Sequence, residues 1–372
     1  MGAQMDVPTE TSPAGAKRRR PGAATPSSAN LIRPTIYGGH QYRSVIAVVI
    51  VIAVLVPTLF NGLTNQYQAD LWLVYSVSAV GFYLVFGMAG RFAFCQPFSM
   101  ALGAYVAAWM SRETSNAWIG LVVAVAITAV LMTAVGWAIS RAQEFYFAVA
   151  TLALSEVGLT VFTQWQSFTG PSGDVTGVPP ISLFGYSMKS DARVFWVFLA
   201  IFAIILVLAV FIERSPLRRD VIAARDNPMV ARTVGIPVAR LQVLMFVVGS
   251  CFGALSGWMY AHWATVLEPS SFGTNLAVGL FLMVVLGGMN THWGAVIGAL
   301  FYVEVPQLLS SLAAYQAIVY GSVLIVVIIA FPQGLAGLFQ SLTKRRQLPR
   351  PRSPESTEAR GRFTRLLHFW GN

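Results

Sequence analysis

Charged residues are scarce in this sequence. Only 11% of its 372 residues are Asp, Glu, Lys or Arg, against roughly a quarter in an ordinary soluble domain, and so low a share excludes a water-soluble globule. Cysteine is limited to Cys95 and Cys251, both inside apolar segments and neither in a CxxC or Cys/His cluster. No disulfide framework and no metal site is therefore indicated. The chain has no GxxxxGK[ST] stretch, so it lacks the usual backbone cradle and lysine for nucleotide phosphates. It also lacks HExxH, GxSxG and any carboxylate pair on one helix, the arrangements that would point to an intramembrane enzyme. Segments that alternate apolar and polar positions over about ten residues, the mark of a membrane β-barrel, are missing as well. Val45 to Phe60, for example, is an apolar run without alternation.

What the chain does contain is hydrophobic sequence, 56% of all residues, gathered into runs of about twenty residues. That length carries an α-helix across a hydrocarbon core roughly 30 Å thick. The expected fold is all-α, a polytopic bundle of about ten transmembrane spans. Apolar runs place them near 44–63, 70–87, 92–111, 117–140, 144–164, 193–213, 241–264 and 315–332. The stretch 275–311 is too long for one span and is interrupted at Gly287 to Gly294, so it reads as two shorter, partly re-entrant helices. Residues 1–42 form a Pro-, Ala-, Ser- and Gly-rich basic tail without an apolar face, the composition of a disordered segment. The first apolar core starts only near Ser44, which reads as a retained signal anchor. The membrane domain then covers 43–340, with a long polar connection at 214–240, and a second basic tail covers 341–372.

A net charge of +10 does not indicate nucleic acid, because the Lys and Arg sit in tails and loops without base-reading or stacking groups beside them. They fit topology signals and attraction to an anionic membrane surface. With the N-terminus inside, Arg91, Arg141, the arginines from Arg214 to Arg240 and the C-terminal tail all fall on the cytoplasmic side. Only Arg112, Lys189 and Arg193 of the 25 Lys and Arg lie opposite. Both termini are then cytoplasmic, which requires an even number of crossings and favours the split of 275–311.

Irregular backbone at membrane depth is tolerated only where protein buries it or where it lines a wet cavity. Phe86-Gly87-Met88-Ala89-Gly90 and Leu286-Gly287-Gly288 are such breaks, and they echo one another weakly, as half-domain repeats or by chance. The connection from Ser215 to Arg240 starts like a helix, with Ser215 as N-cap and Pro216 at the first position. It breaks at Asp226-Asn227-Pro228, where a second short helix, Met229 to Val234, begins; that helix stops at Gly235 and cannot run through Pro237. Met229, Val230 and Val234 beside Arg232 suit docking in a groove of a soluble partner, and an interfacial loop touching only lipid fits the same residues.

Glu156 and Glu304 fall inside apolar runs, where charge is costly and normally faces the bundle interior or water. Glu156 reads either as a pathway or gating group or as an interhelical hydrogen bond, and Gln96 and Thr151 join it as pathway candidates. For Glu304 a solvated position near an interface is the simpler reading. His262 and His292, near span ends, read as unpaired interfacial histidines. Gly249, Gly253 and Gly257, four residues apart, read as a surface for close helix packing, with pore lining as the minor alternative.

Five stretches give the sequence a family resemblance: FGMAGRFAFCQPFSMALGAY (86–105), EFYFAVATLALSEV (144–157), SPLRRDVIAARDNPMVARTVGI (215–236), MVVLGGMNTHWGAVIGA (283–299) and FPQGLAGL (331–338). Together they resemble the permease subunits of ABC importers for branched-chain amino acids, a family that also includes urea and amide permeases. The resemblance implies that Ala223, Ala224, Arg225, Asp226, Pro228, Met229, Val230, Arg232 and Gly235 belong to the region that contacts an ATPase subunit. It further implies a second homologous permease, two ATP-binding subunits that use the ATP, an external substrate-binding protein, and a bacterial inner-membrane location. This chain itself would bind no cofactor. Gly90 to Phe98 and the external stretch Phe168 to Gly177 depart from the usual family pattern, and both bear on which cargo is carried. An ATP-independent transporter or channel is the rival reading.

Overall fold

Backbone polar groups in hydrocarbon must be satisfied within their own segment, which the α-helix achieves. The computed structural model describes residues 63–169, 174–183, 186–187, 191–264 and 266–308, with single positions 321, 322, 325 and 334. Helix α1 covers Leu63–Tyr83 and passes into a π-turn at Leu84–Met88. There follow α2 (Gln96–Thr114), α3 (Ala117–Ile139), α4 (Glu144–Gln164), α5 (Asp191–Arg214), the short helices α6 (Leu217–Asp226) and α7 (Pro228–Thr233), α8 (Val238–Trp263), α9 (Thr274–Gly287) and α10 (His292–Leu308). Six elements are long and apolar enough to cross a membrane: α1 with its π-turn, α3, α4, α5, α8, and α9 with the 3-10 turn before it. The expected all-helical membrane bundle is therefore found, but the count of about ten spans is not reached among the described residues. The span expected at 44–63, apart from Leu63, and most of that at 315–332 lie outside them, as do both tails.

Helix α1 runs through the interior and packs against α5, α8, α9 and α10. Leu73, Val77, Phe82, Met100, Ala104, Phe198, Phe202, Trp258, Met283 and Val284 form one buried core around it. Polar side chains tie the helices across this core, each giving its hydrogen to a carbonyl of another element. Trp72 Nε1 donates to Val296 O (3.2 Å), Ser256 Oγ to Val74 O (2.8 Å) and Trp258 Nε1 to Ala117 O (2.8 Å). Helices α3 and α4 lie at the periphery, with Val122, Val130, Phe145, Tyr146 and Val157 more than half exposed, as surfaces meant for lipid or another membrane subunit are.

The arginines gather at one end of the bundle. Arg91, Arg141 and the α6–α8 region stand there, while Arg112 in the last turn of α2 and Arg193 in the first turns of α5 stand at the other. The far end carries short antiparallel pairings, β1 (Val175–Thr176) with β4 (Val266–Leu267), and β2 (Ser182–Leu183) with β3 (Tyr186–Ser187). The expected break of 275–311 is present: α9 ends at Gly287, Gly288 turns with φ 116°, and α10 begins at His292. One local expectation fails. Ser215 does not cap α6; its hydroxyl donates back to Ile212 O (2.7 Å) in α5, and α6 has no side-chain cap. A serine directly after a helix finds the last free carbonyls of that helix nearer than the next helix's amides.

Candidate functional site

The polar connection between α5 and α8 is built as two short helices. Asn227 caps the second, its side chain accepting from Val230 N (3.1 Å), with Pro228 in the first turn. Ala224, Ala231 and Val238 are buried together with Ile236 against them, so a small apolar core holds α6 to α7 and to the start of α8. Gly235 then reverses the chain with φ 84°. Met229, Val230 and Val234 point away from this core, 78%, 56% and 70% exposed, at the end of the bundle that holds the arginines. Ala223 is half-buried, and Asp226, Pro228 and Arg232 are exposed.

Arg225 links this connection to the membrane core. Its Nη1 donates to Gly87 O (2.6 Å), a carbonyl of the π-turn that ends α1. Gly90, at φ 71°, makes room for the same side chain: a methyl group there would stand 2.7 Å from Arg225 Cγ. Both the left-handed backbone and the contact require glycine.

Beside this tie lies a cluster that sequence reasoning missed. Glu213, one residue from the end of α5, accepts from Tyr83 Oη (2.8 Å) and from His292 Nδ1 (2.9 Å), with His292 N at 3.4 Å. The His292 side chain is 3% exposed and that of Glu213 is 11% exposed. Three elements, the end of α1, the end of α5 and the start of α10, therefore meet on one carboxylate. The expectation of unpaired interfacial histidines is corrected on both counts. His292 is buried on Glu213, and His262 Nδ1 donates to Pro179 O (3.0 Å) while packing edge-on to Trp258. Glu213 sits next to Arg214 and the polar connection, so in sequence it looks like a helix end in water. Helix periodicity gives the face of each residue but not its depth or partner, so the sequence carried no signal that joins Tyr83, Glu213 and His292.

The segment from Ala89 to Cys95 is not helical, and Gln96, which opens α2, is level with Gly249, about three turns into α8. Irregular backbone thus reaches membrane depth, where Thr151 satisfies part of it and Gln96 and Arg91 tie its ends to neighbouring elements. Thr151 Oγ1 accepts from Phe94 N (3.1 Å) and lies 3.3 Å from Phe92 O. Gln96 Nε2 donates to Ser78 O (3.3 Å) and Gly249 O (3.0 Å). Arg91 reaches Ala142 O (2.8 Å) and Gln242 Oε1 (2.6 Å) and lies over the Phe147 ring. Burial lowers the Arg91 pKa from its ordinary value, and the Glu144 carboxylate opposes that shift.

The glycines of α8 face the same level. A methyl group at Gly249 would meet Val85 Cγ2 at 2.4 Å, at Gly253 the Gln96 amide at 2.9 Å, and at Gly257 the Met100 carbonyl at 1.9 Å, so α8 lies backbone to backbone with α1 and α2. Outside the break, Phe92, Phe94, Phe145, Ala148, Val149 and Leu152 line an open, mainly apolar groove of about 490 Å³, with Glu144 at its rim. Phe92 and Phe94 back onto Phe86 and Phe281 in one aromatic cluster. Glu156 is half-buried further along α4 and accepts from Thr274 Oγ1 at the start of α9. Glu304 is half-buried on α10. The structure thus brings Gln96, Thr151 and the α8 glycines together at the break and leaves Glu156 and the α6–α7 residues apart from them. Among the described residues no cluster of His, Cys, Asp and Glu could hold a metal ion.

Known proteins place this arrangement. A family model described as "Branched-chain amino acid transport system / permease component" matches residues 67–331. The chain is 24% identical over 339 residues to the high-affinity branched-chain amino acid transport system permease protein LivM of Escherichia coli, covering 84% of this chain and 80% of LivM. It is 28% identical over 301 residues to the corresponding LivH of Escherichia coli, with 75% and 94% covered. It is 24% identical over 306 residues to BraD of Pseudomonas aeruginosa, also with 75% and 94% covered. No solved structure matches the chain. The match runs from the first turns of α1 past α10 and takes in both helix breaks and the α6–α7 connection, and on that footing the chain belongs to the family of branched-chain amino acid transport permease components.

Proposed function

We propose that this permease is one membrane half of an ATP-driven importer for branched-chain or other apolar amino acids. A second homologous permease completes the translocation path, two ATP-binding subunits supply the energy, and an external binding protein delivers the cargo. Similarity to both LivM and LivH, two permeases named for one kind of transport system, supports the pairing. The observation that carries the reading is the exposure of Met229, Val230 and Val234 on a short, capped helix at the arginine-rich end. Apolar side chains held out beside water by a small core of their own are a surface awaiting a groove in a soluble partner.

In this reading the basic tails 1–42 and 341–372 and the 214–240 connection are cytoplasmic, in a bacterial inner membrane, with the membrane domain at 43–340. Movement of the docked α6–α7 pair pulls on Arg225 and so on the Gly87 carbonyl. From there it reaches the π-turn of α1 and the carboxylate that joins α1, α5 and α10. The apolar groove of Phe92, Phe94, Phe145 and Leu152, beside the broken segment, is where a path for apolar side chains would run, and Gln96 and Thr151 would hold its wall by their backbone bonds. Glu156 would act through its bond to Thr274.

The test is purification of the chain with its neighbours, followed by reconstitution. ATP hydrolysis in the co-purified complex and ATP-dependent leucine uptake are expected. Uptake that persists without any ATPase partner overturns the importer reading in favour of a secondary transporter. ATP-dependent uptake of urea in place of leucine keeps the machine and overturns the cargo.

A further inference from the structure

A second groove, of about 460 Å³, opens between the last turns of α3 and the first turns of α8, lined by Trp137, Arg141, Arg240, Val243, Leu244 and Val247, with Thr133 and Ser140 beside them. Its lining shares only Ala239 and Arg240 with the very end of the 214–240 connection, and nothing with the apolar groove on α4. Its floor is fixed where Gly136 brings α3 against Phe246 and Val243. Its hydroxyls are already engaged, since Thr133 Oγ1 donates to Ala129 O (2.6 Å) and Ser140 Oγ to Trp137 O (2.8 Å). The donors left over are the guanidinium groups of Arg141 and Arg240 and the indole N–H of Trp137, a residue 74% exposed. None of the three has a hydrogen-bond or ion-pair partner among the described residues, and no carboxylate lines the groove. The carbonyls of Ser140 and Ala142, which follow α3, accept from Arg91.

Unpartnered cationic donors at the head of an apolar wall match one ligand chemistry. A phosphate diester would sit against the two guanidinium groups and the indole, and an acyl chain would run down Val243, Leu244 and Val247. Basic pockets between membrane helices at the cytoplasmic face hold anionic headgroups in this way, and exposed tryptophan is favoured at that depth. We propose that this groove is a binding site for an anionic phospholipid of the inner leaflet. Free phosphate would leave the apolar wall bare, and a zwitterionic lipid would bring a cation against two arginines.

The experiment uses the full chain in its complex, extracted from bilayers of equal phosphatidylglycerol and phosphatidylcholine, with the retained lipid counted by native mass spectrometry. Wild type should retain phosphatidylglycerol selectively. Arg141→Gln and Arg240→Gln should each lower that selectivity roughly fivefold, the factor carried by one basic side chain at an anionic surface. Lysine at both positions should recover most of it, and Trp137→Phe should lose less than either glutamine variant. The pair Arg218→Gln and Arg219→Gln, on exposed α6 surface, matches the charge change and should leave selectivity intact. Unchanged selectivity in the Arg141 and Arg240 variants, or an equal loss in the α6 control, overturns the proposal. So does displacement of the lipid by millimolar inorganic phosphate, or absence of selective lipid in wild type because a partner chain fills the groove.

Discussion

At the scale of single residues the carboxylate of Glu213 carries the most consequence. A buried carboxylate is tolerated when it is hydrogen-bonded, and losing one side-chain donor while Tyr83 Oη and His292 N remain costs about 1.5–3 kcal/mol. His292→Ala should therefore lower stability by that order in a denaturation assay in detergent, while His292→Gln, which keeps a donor near Glu213, should recover part of the loss. Tyr83→Phe removes one neutral donor to the same oxygen and should cost less, about 1–2 kcal/mol. Equal stability of His292→Ala and wild type would refute the buried pair. Thr151 offers a second test at this scale. Thr151→Val keeps the shape but leaves Phe94 N without its acceptor, which should cost about 1–3 kcal/mol; a neutral result would mean that the segment is solvated by water from the path. Normal uptake and stability of Glu156→Ala would likewise remove any role for its bond to Thr274.

At the scale of elements the α6–α7 pair, the proposed lever, has its own small core, and its two surfaces separate experimentally. Val230→Asp places a carboxylate on the exposed apolar face without touching Ala224, Ala231 or Val238, so it should weaken association with the ATPase by tenfold or more, on the order of 1.4 kcal/mol. Gly235→Val forces a β-branched residue into φ 84°, a penalty of roughly 1–2 kcal/mol, and should disturb the exit from α7. Arg225→Ala leaves the outer face intact and cuts the link to Gly87. Its expected signature is different: normal assembly and ATP hydrolysis with reduced uptake. Assembly, ATPase activity and uptake measured on the same reconstituted samples distinguish docking from transmission, and normal values in all three variants would make the connection an interfacial loop.

At the scale of the whole molecule the proposed orientation puts the arginine-rich end inside. Positive charge is retained on the cytoplasmic face, so a single cysteine replacing Thr357, in a background without Cys95 and Cys251, should resist an impermeant thiol reagent in intact cells and react after lysis. Labelling in intact cells would invert the orientation and with it the docking of α6–α7. The outward faces of α3 and α4 belong to this scale too. Their exposed valines and aromatics suit lipid or another membrane subunit, and in the proposed reading the groove on α4 serves the path while the groove between α3 and α8 seats lipid.

Much of this was legible without coordinates. Runs of about twenty apolar residues dictate helices because hydrocarbon offers the backbone no other partner, and Gly287-Gly288 dictates the break between α9 and α10. Asn227-Pro228 and Gly235 mark the limits of α7 through capping and a left-handed turn, both local properties of the chain. Tertiary structure decided the rest. That Thr151 bonds to backbone of the break and Gln96 to carbonyls of α1 and α8, that His292 is buried on Glu213, and that Arg225 reaches Gly87 all depend on which helices become neighbours. Those contacts join residues far apart in sequence, as the 138 positions between Gly87 and Arg225 illustrate. Helix periodicity gives the face a side chain occupies but not the depth or partner it finds there. A carboxylate beside a polar loop therefore looks solvated until packing brings a tyrosine and a histidine onto it.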